Sequence, residues 1–94
     1  MINMSEDEKL VLASYVASST YRQRVLDCFN NTEVKTPTRI ARESGVRVNH
    51  ISKVLTELKN KNLLVCINED ARKGRLYRLT GLGISIREIA DTIL

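Results

Sequence analysis

Between residues 36 and 64 the chain reads TPTRIARESGVRVNHISKVLTELKNKNLL, and its apolar positions fall into two helical patterns parted by one glycine. Ile40 and Ala41 belong to the first pattern, Ile51, Leu55 and Leu58 to the second, and Val46 lies between them. The last three recur at helical spacing, so they form one apolar stripe and leave the opposite face free. Ala41 stands four residues before Gly45, and Ile51 six after it. Two helices that cross steeply over a short turn need a small side chain where their backbones approach, which Ala41 supplies. Gly45 supplies the positive φ on which a helix commonly ends. Thr36 before Pro37 is a helix start, because the hydroxyl caps free amides and proline at the first helical position loses no hydrogen bond. The pattern predicts a helix-turn-helix over 36–62, with its first helix at about Pro37 to Ser44.

Upstream, Ser5 followed by Glu6, Asp7 and Glu8 opens a helix over 5–18, since acidic residues in a first turn complement the helix dipole. Its run LVLASYVA is apolar nearly all round, which implies two buried faces. Two readings stay open: a helix tucked into its own core, or one shared across a homodimer interface through Leu10, Leu12, Tyr15 and Val16. Any of Ser18, Ser19 and Thr20 can cap the next helix, where Tyr21, Val25, Cys28 and Phe29 line one side and Asn30 and Asn31 end it. Downstream, 63–68 and 75–79 are rich in β-formers, and the loop between them carries Arg72, Lys73 and Gly74. This predicts a hairpin, or wing, over 63–79. Thr80 caps a last helix, 81–94, whose stripe is Leu82, Ile86, Ile89, Ala90 and Ile93, with Ile84 opposite. Ile84, Ile89 and Ile93 join the expected dimer contacts. The expected fold class is mostly α with a small β-hairpin: one winged helix-turn-helix domain spanning 1–94, with extra terminal helices.

Composition narrows the function. Ninety-four residues make one small domain that gains stability from a partner subunit. The net charge of +4 is unevenly spread: residues 1–20 carry −2, while 47–78 hold eight basic and three acidic side chains. Positive charge therefore gathers on the second half of the motif and the wing, as a polyanion partner requires. Cys28 and Cys66 stand far apart and His50 is the only histidine, so neither a metal site, a disulfide framework nor a cofactor is expected. The longest apolar run is far short of the roughly 20 residues that span a bilayer, so a soluble, cytoplasmic protein is expected. No phosphate-binding glycine loop and no nucleophile with a neighbouring base appear, so an enzyme is not expected.

On a helical wheel Asn49, Lys53, Thr56 and Asn60 lie about 140° to 200° from Ile51, with His50 and Ser52 at the flanks. A helix fits the major groove of DNA and its first turns come closest to the bases, so Asn49, His50, Ser52 and Lys53 are the base-reading candidates. Arg47, Thr36 and Thr38, at helix starts, are placed at phosphates, with Arg39 and Arg42 assisting. Arg72, Lys73 and Arg75 at the wing tip reach phosphates or the minor groove.

With those residues in view, the chain resembles the winged helix-turn-helix transcriptional regulators of the MarR and ArsR type, most closely the small single-domain archaeal members. The stretches YRQRVLDCF, the motif quoted above, and KGRLYRLTGLG carry the resemblance, in the order first helix, motif and wing. It implies a homodimeric, sequence-specific double-stranded DNA-binding regulator, with Arg47, Asn49, His50, Ser52 and Lys53 on the recognition helix and Arg72, Lys73 and Arg75 on the wing. Arg47 stands where relatives often have a Ser or Thr cap, and nothing matches the paired Cys and His ligands of metal-sensing members. Two rival expectations are a winged-helix module that docks a protein without binding DNA, and redox control through Cys28 or Cys66.

Overall fold

The computed structural model describes residues 4–93. Among them the chain forms α1 (Glu6–Ala17), α2 (Thr20–Asp27), α3 (Pro37–Ser44), α4 (Val48–Asn60), β1 (Leu64–Cys66), β2 (Tyr77–Leu79) and α5 (Gly81–Ile93). The mostly helical architecture with one hairpin is the expected class. Residues 1–3 of the expected domain and the last residue of the expected 81–94 helix lie outside the described residues.

Each helix starts where the sequence supplies an acceptor for its unpaired amides. Ser5 and Glu8 form a reciprocal box: the Glu8 amide donates to Ser5 Oγ at 3.1 Å and the Ser5 amide to Glu8 Oε1 at 3.0 Å. Of the three hydroxyls before α2, Ser19 is the cap, accepting from Arg22 N at 3.3 Å. Thr36 caps α3 through Arg39 N, and Thr80 caps α5 through Gly83 N at 2.8 Å. Gly45 ends α3 at φ 75°, its amide donating to the Ala41 carbonyl. The start of α4 differs: Arg47 makes no side-chain cap. Val46 and Ile51 stand just before the cap and at the fourth helical position, both buried in the core, the arrangement of a hydrophobic staple.

One contiguous core gathers Val16, Val25, Leu26, Ile40, Leu58 and Ile86, all fully buried, under the hairpin residues Leu64, Tyr77 and Leu79. The hairpin is antiparallel, with Leu64 opposite Leu79 and Cys66 opposite Tyr77. It is shorter than the expected 63–68 and 75–79 because Asn68 takes over beyond Ile67: its side chain accepts from Leu76 N at 2.7 Å and donates to the Gly74 carbonyl at 3.1 Å. A bridge the sequence did not reveal adds Lys35 to the other edge, with Lys35 and Tyr77 exchanging two backbone hydrogen bonds of 2.9 Å.

Several expected placements are corrected. Val16 is fully buried inside its own subunit and has no surface to offer a partner. Tyr15 is half-buried against the core, with the Arg22 guanidinium 3.8 Å from its ring centre. Ile84, expected opposite the packing stripe, is also half-buried against the core, whereas Ile93, expected within it, is 42% exposed at the helix end. Tyr21, expected on the packed side of α2, is exposed, and Leu26 fills the core instead.

Gly45 and Gly83 serve different ends, and substitution separates them. A Cβ at Gly45 meets nothing within 4 Å, so Gly45→Ala loses only the backbone preference, about 1 to 2 kcal/mol. A Cβ at Gly83 falls 2.1 Å from the Leu63 carbonyl oxygen, so Gly83→Ala must push α5 off the α4–β1 turn. Thermal melts should show the larger loss for Gly83→Ala; each kcal/mol shifts the midpoint by about 4 to 8 °C in a domain this size. A second test uses pH. Burial, together with Asp91 across the α2–α5 contact, raises the Asp27 carboxyl to about 6 against the opposing charge of Arg87. Because the folded value lies above the unfolded one, the stability this group contributes is full below about pH 4 and is lost as pH rises through about 6. Asp27→Asn should therefore melt higher than the parent at pH 7.5 and match it at pH 4.

Candidate nucleic-acid interface

The staple that anchors α4 leaves its opposite face unpacked. Ile51, Val54, Leu55 and Leu58 are buried, while Arg47, Asn49, His50, Ser52, Lys53, Thr56 and Asn60 are all exposed. The expected base-reading candidates therefore lie together on one solvent face. Two carry local constraints. Thr56 Oγ1 donates to the Ser52 carbonyl at 2.9 Å, so its hydroxyl is left as an acceptor. The His50 ring stacks on Tyr21 of α2, with centroids 5.4 Å apart and planes 39° apart. Tyr21 thus belongs to this surface, a placement its apolar spacing in α2 concealed.

The second part of the site lies between the start of α3 and the hairpin tip. Thr36, Pro37, Thr38, Arg72, Lys73, Gly74 and Arg75 line one open cleft of about 400 Å³. The expected backbone-contact threonines and wing cations, far apart in sequence, are brought together here. Pro37 has no N–H and the Arg39 amide is bonded to the cap, so Thr38 presents the first-turn amide of α3. Gly74 turns the hairpin tip at φ 67°.

Ion pairing sorts the basic residues. Arg39 lies outside the expected role: its Nε donates to Glu43 at 3.0 Å and its Nη2 to Glu33 at 3.1 Å, and both carboxylates hold it above its ordinary value. A guanidinium engaged by two carboxylates is a poor partner for phosphate. Arg75 is folded back onto its own loop, donating to the Ala71 and Glu69 carbonyls at 2.9 and 3.1 Å, so it shapes the tip more than it reaches out. Lys59 of α4 pairs with Glu69 at 2.6 Å, which ties the hairpin to α4. Among the described residues Arg47, Lys53, Arg72 and Lys73 make no ion pair, and all four are exposed.

No group of three or more His, Cys, Asp or Glu side chains suited to a metal ion occurs among the described residues, and no described helix is long and apolar enough to cross a membrane. A separate groove of about 640 Å³ lies between α1 and the α4–β1 turn, with Met4, Val11, Leu12, Tyr15 and Leu82 on its walls and Asp7, Glu8 and Lys61 at its rim. Val11 beside it is 71% exposed and Leu10 is 50% exposed.

Helix-turn-helix, short hairpin and flanking helices in this order are a winged helix-turn-helix fold. Three solved structures share it. The type III plasmid segregation protein TubR superposes with a TM-score of 0.77 at 13% identity, over 100% of this chain and 92% of its own. A MarR family transcription regulator superposes at 0.63 and 21% identity, over 86% of this chain and 59% of its own. RV1404 of Mycobacterium tuberculosis does so at 0.52 and 15% identity, over 97% and 75%. At these identities the likeness is one of fold. No family model matches the chain, and no curated protein matches it significantly.

The thiols can be tested directly. Burial pushes Cys28 up to about 11, with Lys35 opposing and the carboxylates of Glu43, Glu33 and Asp27 reinforcing, while Cys66, at the end of β1, is buried. A thiol held protonated is a poor nucleophile, which weighs against redox control. Native protein at pH 8 should take up iodoacetamide slowly at both positions, and quickly once unfolded; rapid labelling of Cys28 in the native state would contradict this.

Proposed function

We propose that this chain is a sequence-specific double-stranded DNA-binding regulator, acting as a homodimer with α4 in the major groove and the hairpin tip on the flanking backbone or minor groove. The observation that carries the reading is the pairing of exposed cations free of ion pairs with free polar groups at two places, α4 and the cleft at the hairpin tip. Arg47, just before α4, and Lys53 within it flank Asn49, His50 and Ser52, and Arg72 and Lys73 meet Thr36 and Thr38 in the cleft. Phosphate contacts fix register while the α4 side chains read base edges, asparagine suiting adenine and lysine guanine.

The apolar residues left exposed on the terminal helices, Leu10, Val11 and Ile93, support a homodimer. Leu12, Tyr15, Ile84 and Ile89 pack against the core but are not fully covered by it. A two-fold dimer would set its two recognition helices about 34 Å apart, one turn of DNA. The likeness to TubR covers nearly the whole of both chains, which favours plasmid segregation as a second reading of the same DNA-binding chemistry. The two part on where the protein binds: upstream of transcribed genes for a regulator, at one locus of a replicon for segregation.

One titration tests the proposal. Fragments of the source genome selected for binding should be held with an affinity that falls linearly in log–log form with salt, two chains per site by light scattering. Lys53→Ala/Arg72→Ala/Lys73→Ala should flatten the slope by about 4 to 5 for the bound dimer, close to 0.9 for each phosphate that is no longer neutralised, two or three from each chain. A parental slope near zero, or an unchanged slope in the triple variant, would overturn it.

A further inference from the structure

The first turn of α4 contains a residue that neither the fold nor the polar reading surface explains. Val48, between Arg47 and Asn49, is the first residue of the helix and is 68% exposed. It lies about 60° round from Ile51, between that buried residue and the exposed Ser52. The staple is already supplied by Val46 and Ile51, and Val48 is absent from the buried core and from the side chains packed against it. Helical side chains lean towards the N-terminus, and at the first position there is no preceding turn to lean on. The isopropyl group therefore projects past the start of the helix, among Arg47, Asn49 and Ser52. Its β-branch holds χ1 in few rotamers, so its methyl groups are presented with little freedom to lose.

A polyanion surface has one use for such a group. Along the edges of the base pairs in the major groove the features are donors and acceptors, save the small C5–H of cytosine and the C5-methyl of thymine, and only the methyl is bulky enough to bury against an aliphatic side chain. We infer that Val48 reads that methyl, and so makes α4 select a T·A pair at the position its first turn meets. The inference rests on the DNA-binding reading above, and it assigns specificity to a residue that contributes neither charge nor a hydrogen bond. Asn49 beside it suits an adjacent adenine, so an A·T-containing step is the half-site feature expected at the helix start.

The test is a thymine-by-thymine replacement with deoxyuridine in the selected duplex, which deletes one methyl and changes no hydrogen-bonding group. The parent should lose about fourfold in affinity at one thymine per bound chain, the worth of one buried methyl. Val48→Ser, which removes both methyl groups at an exposed helix start where serine is well tolerated, should bind the thymine and deoxyuridine duplexes equally while melting like the parent. Loss of affinity at no thymine would overturn the inference, as would a Val48→Ser protein that keeps the fourfold difference. The scan on the parent stands even if the variant folds poorly. Should no duplex be selected at all, the DNA-binding proposal itself falls; binding without any dependence on the methyl removes only the role of Val48.

Discussion

The buried ammonium of Lys35 holds the site in register. Only 2% of its side chain is exposed, yet Nζ donates to Glu43, to Glu33 at 3.1 Å and to the carbonyl of Cys28. Burial works against the charge, but the hydrogen bonds to Glu43 and Glu33 outweigh it and keep Lys35 above its ordinary value. Four parts of the chain meet at this residue: the end of α2, the segment before α3, α3 itself and, through the backbone bridge to Tyr77, the hairpin. A two-stranded hairpin is marginal by itself, and this one has only three paired residues on each strand. Its direction is therefore set by its neighbours, Lys35 on one edge and the Lys59–Glu69 pair towards α4. Thr36 follows Lys35 directly, so the group that fixes the hairpin also fixes the start of α3 facing its tip.

The same geometry explains why a count of charges misjudges a surface. Arg22, Lys35, Arg39 and Lys59 are all paired with carboxylates, and Arg87 donates to the Phe29 carbonyl and Asn31. They act as struts between elements. Arg22 alone joins the end of α1 to α4, donating to the Tyr15 carbonyl at 3.0 Å and to Glu57 at 3.2 Å. Of the basic residues that make no ion pair among the described residues, Arg47 and Lys53 are exposed at the start and on the free side of α4, and Arg72 and Lys73 line the cleft at the hairpin tip.

How much of this is legible in the sequence follows from the range of each interaction. The turn at Gly45, the caps at Ser5, Thr36 and Thr80, and the stripe of α4 depend on residues within a few positions of one another, and all are readable. The hairpin is readable as a pattern, but not its third edge, because nothing in the residues around Lys35 specifies a partner as far along the chain as Tyr77. Arg39 reads as a phosphate contact because its spacing gives the same wheel position whether or not Glu33 folds back to meet it. Tyr21 and Val48 are concealed for the opposite reason: each is apolar at an acceptable helical spacing, and only the position of neighbouring elements shows that no core lies over it.

That concealment bears on how such a surface can change. In α4 the requirements of anchoring and of the proposed base reading fall on different residues. Val46, Ile51, Leu55 and Leu58 secure the helix to the domain, and the absence of a side-chain cap at Arg47 means that no first-turn polar group is needed to start it. Asn49, His50, Ser52 and Lys53, and Val48 with them, carry no part of the core. Substitution at exposed positions away from special features typically stays within about 0.5 kcal/mol of the parent stability, whereas a contact to a base edge is worth about 1 to 3 kcal/mol of discrimination. Selection can therefore act on what the helix reads with little penalty in folding. The exception is His50, whose ring rests on Tyr21; changing it alters the packing of α2 against α4 as well as the surface, so it is the position in this turn where reading and anchoring are not independent.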